Sequence, residues 1–171
     1  MARKVFYSFH YKQDSHRVSQ VRNIGTVEKT TPLLTGNQWE EIKRKGDSAI
    51  QNWIDGQISG KSCTVVLIGQ YTASRRWVNY EIEKSWFDGK AVLGVYIHRL
   101  KDLGGRESGQ GNNPFDNFTL NSRSLASVVK AYNPSGWDSK AVYANIANNL
   151  ADWVEEAISI RSRNQGVLKY R

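Results

Sequence analysis

The chain has 171 residues, 39% hydrophobic and 23% charged, which fits one globular domain large enough for a proper core. No uncharged run approaches the roughly 18 residues a membrane span needs, and Met-Ala-Arg-Lys-Val-Phe leads straight into a strand, so neither a membrane segment nor a signal peptide is expected. The net charge of +8 is spread along the chain, densest at Lys43-Arg44-Lys45 and at Arg161, Arg163, Lys169 and Arg171; without a zinc, helix-turn-helix or aromatic RNA-binding signature beside it, specific nucleic-acid binding is not expected.

In chain order, Lys4 to Phe9 has the composition of a first strand, with Ser8, Phe9 and His10 at its end. Asp14 to Asn23 sets Val18 and Val21 among polar residues, a weak amphipathic helix. Residues 24–36 read as a short edge strand or a long loop. Asn37-Gln-Trp-Glu40 has the form of a capping box. From there Trp39, Ile42, Gly46, Ala49, Ile50, Trp53 and Ile54 make a helical stripe that Asp55-Gly56 ends.

Cys63 to Ile68 is a short, uncharged, β-branched run, the signature of a strand buried on both faces. The lone cysteine inside it reads as core filling and fits a reducing cytoplasm. Gly69 breaks the strand, and Ser74 is placed to cap the following helix. Val78, Ile82 and Trp86 fall four apart on one apolar stripe, while Trp77 and Glu81 share a neighbouring face. Asp88-Gly89 closes this helix and Ala91 to Ile97 is another uncharged strand.

Residues 98–123 are too rich in Gly and Asn for regular structure, and a loop of that length is often functional. It is not a Walker or Rossmann fingerprint, because the strand–loop–helix spacing is missing. Leu125 to Tyr132 reads as a last short strand and Asn133-Pro-Ser-Gly as a turn. Val142, Ile146, Leu150, Trp153, Val154, Ala157 and Ile158 define a long final helix. The expected division is one domain over residues 1–160 and a polar, frayed tail over 161–171.

Strands alternating with helices argue for a parallel sheet covered on both faces, an α/β, flavodoxin-like, doubly wound fold. Val5 to Ser8, Val65 to Ile68 and Val92 to Ile97 are its expected interior strands. In such sheets ligands bind at the carboxyl ends of the strands, where Glu81 stands one turn into a helix.

Val5-Phe-Tyr-Ser-Phe-His10 resembles the opening motif of TIR domains, and Ser74-Arg-Arg-Trp-Val-Asn-Tyr-Glu81 resembles their Ser-x-x-Trp-x-x-x-Glu segment. The chain is more closely similar to the TIR-like proteins of the bacterial Thoeris anti-phage system, the ThsB-like family. The likeness rests on Tyr7-Ser-Phe-His-Tyr11, Val66-Leu-Ile-Gly69, Arg75 to Ile82, and Gly111-Asn-Asn-Pro-Phe-Asp116. The resemblance implies a cytoplasmic enzyme that cleaves the nicotinamide bond of NAD, its substrate, with no further cofactor and no metal. Its product would be a cyclic ADP-ribose isomer or a conjugate that switches on a partner effector protein. The resemblance also implies a phage-derived trigger and self-association on activation, with the Gly/Asn-rich stretch 104–113 as a segment that repositions over the site.

The resemblance places the catalytic glutamate at Glu81. A fixed carboxylate suits this chemistry, since the leaving nicotinamide is already cationic and positive charge develops on the ribosyl centre. Glu83 points about 200° around the helix from Glu81 and is not its partner. Ser8, Phe9, His10, Trp39, Arg76 and Trp77 are the candidate substrate-binding residues. Arg75 and Arg76 start a helix, where free N–H groups favour a pyrophosphate. Trp39 is read either as core or as a platform for a base, and Trp77 either as core or as a ligand wall. His10 is read as a pocket donor or a solvent-facing turn residue. Two other classes stay open: a non-catalytic TIR-like interaction module, and another nucleotide-binding flavodoxin-like protein.

Overall fold

The computed structural model describes residues 2–27 and 36–171. In chain order the elements are β1 (Val5–Ser8), α1 (Tyr11–Arg22), α2 (Gly36–Arg44), α3 (Asp47–Ile58), β2 (Cys63–Ile68), α4 (Arg76–Phe87), β3 (Ala91–Tyr96), β4 (Phe118–Leu120), β5 (Arg123–Ser124), β6 (Ala131–Tyr132), α5 (Ser139–Arg163) and β7 (Leu168–Tyr170). Among the described residues β1-β2-β3-β6 form one parallel sheet in that order. Every residue of β1, β2 and β3 is buried, the physical reason for their uncharged sequences. β1 stands at one end of the order and β6 at the other, so β1 is an edge strand of the described sheet, not an interior one, although it is wholly buried.

The strand period of two sorts side chains onto two helical layers. Cys63, Val65 and Leu67 of β2 pack with Val18 and Val21 of α1 and with Val142, Ile146, Leu150 and Val154 of α5. Val66 and Ile68 face the other way, onto Val78, Ile82 and Trp86 of α4. Phe6 of β1 packs on Ile50, Ile54 and Ile58 of α3. This is the doubly wound α/β arrangement read from the sequence. Burying each large stripe residue contributes about 1.5–3 kcal/mol, so the α4 stripe anchors the helix that carries Glu81.

Several local expectations are corrected. The single stripe from Trp39 to Ile54 is two helices, because Gly46 adopts φ +93°, a left-handed conformation that only glycine takes at little cost. The second helix runs through Asp55-Gly56 to Ile58. Asn37 lies inside the first turn of α2 and is not its cap. Ser74 does not cap α4: it ends a 3-10 turn, Thr72–Ser74, its hydroxyl donates to the Tyr71 carbonyl, and Arg75 is the helix N-cap. Of the strand expected over Leu125 to Tyr132, only Ala131–Tyr132 pairs, after a 3-10 turn at Leu125–Ser127. Residues 28–35, most of the stretch read as an edge strand or loop, lie outside the described residues.

The segment after Arg161 is not frayed. α5 continues to Arg163, and β7 pairs antiparallel with β4, burying Leu168. With β5 these strands form a small second sheet, so the Gly/Asn-rich region ends in regular structure. Its earlier part is tied to α1. The buried Arg17 guanidinium donates to the Leu100 carbonyl at 2.7 Å, to the Arg106 carbonyl at 2.9 Å and to Asp14 at 3.1 Å.

Candidate functional site

β1 and β2 run in parallel, with Ser8 beside Val66, so the segments that follow them leave the sheet at the same edge. After β1 come Phe9 and His10. After β2 come the turn at Gly69 and α4. A Cβ on Gly69 would run into the buried Asp14 carboxylate, so glycine leaves that carboxylate its place beside the turn. One helical turn further, Glu81 points back to the end of β1.

Phe9, His10, Trp39, Arg76, Trp77 and Glu81 line one cleft of about 1080 Å³ among the described residues. Ser8 alone of the expected set does not line it. It is 0% exposed, and its hydroxyl donates to Glu81 Oε1 at 3.1 Å. Glu81 is 7% exposed and forms no ion pair among the described residues. Burial pushes its carboxyl from 4.5 up to about 8, with the Ser8 hydrogen bond opposing the rise. Desolvation wins because one neutral donor does not replace the hydration of a carboxylate. Glu83, two positions on, is exposed.

The His10 imidazole is held below its ordinary range, first by burial and then by the Arg75 and Lys12 charges. Its Nδ1 is buried without a hydrogen-bond partner among the described residues. The neutral ring is therefore favoured, in the same cleft as a carboxyl that burial also favours neutral.

Trp39 joins an aromatic line with Phe9, Tyr11 and Trp53, with successive ring centroids 6.0, 6.2 and 6.1 Å apart. All four rings line the cleft. Trp77 is both core and wall: it packs on the α3 cluster, meets Tyr80 edge-on at 5.7 Å, and faces the cleft. The Arg76 guanidinium lies 4.5 Å over the Trp77 ring and donates to Asp47 at 2.7 Å. Arg76 is thus already engaged. Arg75, also on the cleft wall, has no ion-pair partner among the described residues. Tyr11, Lys12, Lys43 and Trp53 are lining residues that the sequence reading did not single out. The loop tied by Arg17 contributes no lining residue.

A doubly wound α/β domain with a buried carboxylate in a cationic, aromatic cleft at the carboxyl end of its strands has the arrangement in which open sheets hold small ligands. The chain belongs to the family described as "Thoeris protein ThsB, TIR-like domain", which it matches over residues 6–102. It is also 39% identical over 120 residues to a curated protein of Bacillus cereus (strain MSX-D12) named "Putative cyclic ADP-D-ribose synthase ThsB1". That match covers 68% of this chain and 62% of the relative. No helix among the described residues is long and apolar enough to cross a membrane.

Proposed function

We propose that this domain is an NAD-cleaving enzyme of the ADP-ribosyl cyclase type. It releases nicotinamide and makes a cyclic ADP-ribose-derived nucleotide in anti-phage defence. The observation that carries the reading is Glu81, a buried carboxyl with no cationic partner among the described residues, opening onto a cleft of aromatic and basic side chains. The name borne by the Bacillus cereus relative supports it.

NAD brings a cationic nicotinamide ring. Glu81 retains its proton in the empty cleft at neutral pH, since its carboxyl titrates at about 8. A unit positive charge about 4 Å away attracts a carboxylate by roughly 4 kcal/mol at an effective dielectric of 20. That corresponds to about three pH units, so substrate binding ionises Glu81. As the bond between the ribosyl carbon and nicotinamide breaks, its electron pair leaves with neutral nicotinamide. Positive charge moves to the ribosyl centre, where the carboxylate stabilises it. A nucleophilic atom of the adenosine half then bonds to that carbon, and its proton passes to the Glu81 carboxylate, closing the ring and returning Glu81 to its protonated form. The line from Phe9 to Trp53 offers stacking faces for the adenine, and Arg75 with Lys12 offers charge for the pyrophosphate. Trp77 walls the reacting end.

The product acts as a diffusible signal on an effector protein in the cytoplasm. Activity rises on a phage-derived trigger and self-association. Incubating the protein with NAD, alone and with lysate of infected cells, and resolving the products by mass spectrometry tests the reading. Nicotinamide together with a cyclised ADP-ribose species is the expected result. Unchanged NAD under both conditions would turn the reading toward a non-catalytic interaction module.

A further inference from the structure

Glu81 lines the cleft, but among the described residues the one side chain that hydrogen-bonds its carboxyl comes from behind it. Ser8 is the last residue of β1, is fully buried and contributes no surface to the cleft. Its hydroxyl donates to Glu81 Oε1 at 3.1 Å. The strand pairing fixes where this hydroxyl sits, because Ser8 is in register with Val66 on β2, the strand that leads into α4. Both ends of the hydrogen bond are therefore mounted on rigid elements, the condition for a preorganised site.

We propose that Ser8 is a positioning residue of the NAD-cleaving site, acting only through Glu81: it aims the carboxyl into the cleft and favours its charged form. The proposal rests on the catalytic reading of Glu81. A hydroxyl suits the task because it can donate to a carboxylate and accept from a carboxylic acid, so the contact survives a change in protonation. Other charges share the cleft with Glu81. His10 and Lys12 follow β1, Arg75 and Arg76 begin α4, and Glu40 and Lys43 come from α2. Arg22 and Lys61 line it as well. Among the described residues the Ser8 hydroxyl is the group that hydrogen-bonds Glu81.

A hydroxyl bonds a carboxylate more strongly than a carboxylic acid, so losing it raises the Glu81 midpoint by about one pH unit. In Ser8→Ala, kcat/KM for NAD at neutral pH should fall about tenfold and recover as pH rises, because kcat/KM follows the free-enzyme midpoint of Glu81. Ser8→Thr keeps the hydroxyl and should keep the wild-type profile. The test has two readouts. Carbon-13 NMR of the glutamate carboxyls, assigned with Glu81→Gln, follows the Glu81 midpoint in the unliganded proteins. A triggered NAD-consumption assay between pH 6 and 9 follows kcat/KM. Ser8→Cys, nearly isosteric with a much weaker donor, serves if the alanine variant folds poorly.

A raised midpoint with a matching shift of the activity profile is the expected result. An unmoved midpoint in both variants overturns the proposal, whatever the activity. A raised midpoint in a protein whose wild type never consumes NAD overturns the catalytic reading and leaves only the Ser8–Glu81 contact. A purely structural serine would lower the melting temperature and shift neither profile.

Discussion

Replacing Glu81 by Gln should raise stability relative to the wild type steadily as pH rises. The side chain is buried, and its carboxyl titrates at about 8 in the folded protein against an ordinary 4.5. Below pH 4.5 both folded and unfolded states hold the proton and the group contributes nothing to the pH dependence. Between 4.5 and 8 the unfolded chain gives up its proton while the native state keeps it. The native state then binds more protons, so stability falls as pH rises, by about 1.4 kcal/mol per unit. By pH 7 the accumulated loss is roughly 3 kcal/mol, and above pH 8 it levels off at roughly 5 kcal/mol. That is a large share of the 5–15 kcal/mol typical of a domain.

Glutamine does not titrate, so the variant escapes this loss. Its buried amide adds an offset of about 1–3 kcal/mol if one N–H lacks a partner, but that offset is the same at every pH. The diagnostic is the slope of the stability difference, in which all other titrating groups cancel. Urea unfolding of both proteins at half-unit steps from pH 5 to 8.5 measures it. A difference that stays flat over that range would refute the reasoning, because Glu81 would then titrate as an ordinary exposed glutamate.

Arg75→Ala should raise KM for NAD about tenfold or more, in line with losing a charge-assisted contact to phosphate. Arg76→Ala should change it far less, because that guanidinium is already held by Asp47 and Trp77; initial-rate kinetics on both variants decide, and equal effects would contradict the assignment. Arg17→Ala should cost roughly 3–5 kcal/mol, since it leaves the buried Asp14 without its cation. Faster hydrogen exchange across residues 98–113 should accompany that loss, whereas a loss below about 1 kcal/mol would show that the tie does not organise the loop.

Much of the framework was legible because burial leaves a plain mark. Strands covered on both faces carry no charge, and the Val78, Ile82, Trp86 stripe records the side of α4 that meets the sheet. What escaped depends on partners distant in sequence or on a single backbone angle. Lys45-Gly46 sits inside an unbroken 3.6-residue pattern, and only the φ of Gly46 divides the helix. Leu168-Lys-Tyr170 looks like a polar tail until β4 pairs with it. The Gly/Asn-rich loop is organised by Arg17, more than eighty residues earlier.

The site divides in the same way. The spacing of Trp77 and Glu81 marked their helix, but no local pattern says that Glu81 is buried or that Ser8 lies behind it. The aromatic line needed two helices and the end of a strand to come together. Arg75 and Arg76 are indistinguishable as letters, and they separate only once Asp47 is seen to engage one of them.

The most direct test of the central claim is NAD turnover by Glu81→Gln, with Glu83→Gln beside it and the same trigger applied to both. Loss of a carboxylate that acts on the developing ribosyl cation should lower turnover about a hundredfold or more, near 2.7 kcal/mol, and leave substrate affinity less affected. Glu83, exposed on another face of α4, should be replaceable without loss. Wild-type turnover by a folded Glu81→Gln protein would contradict the account.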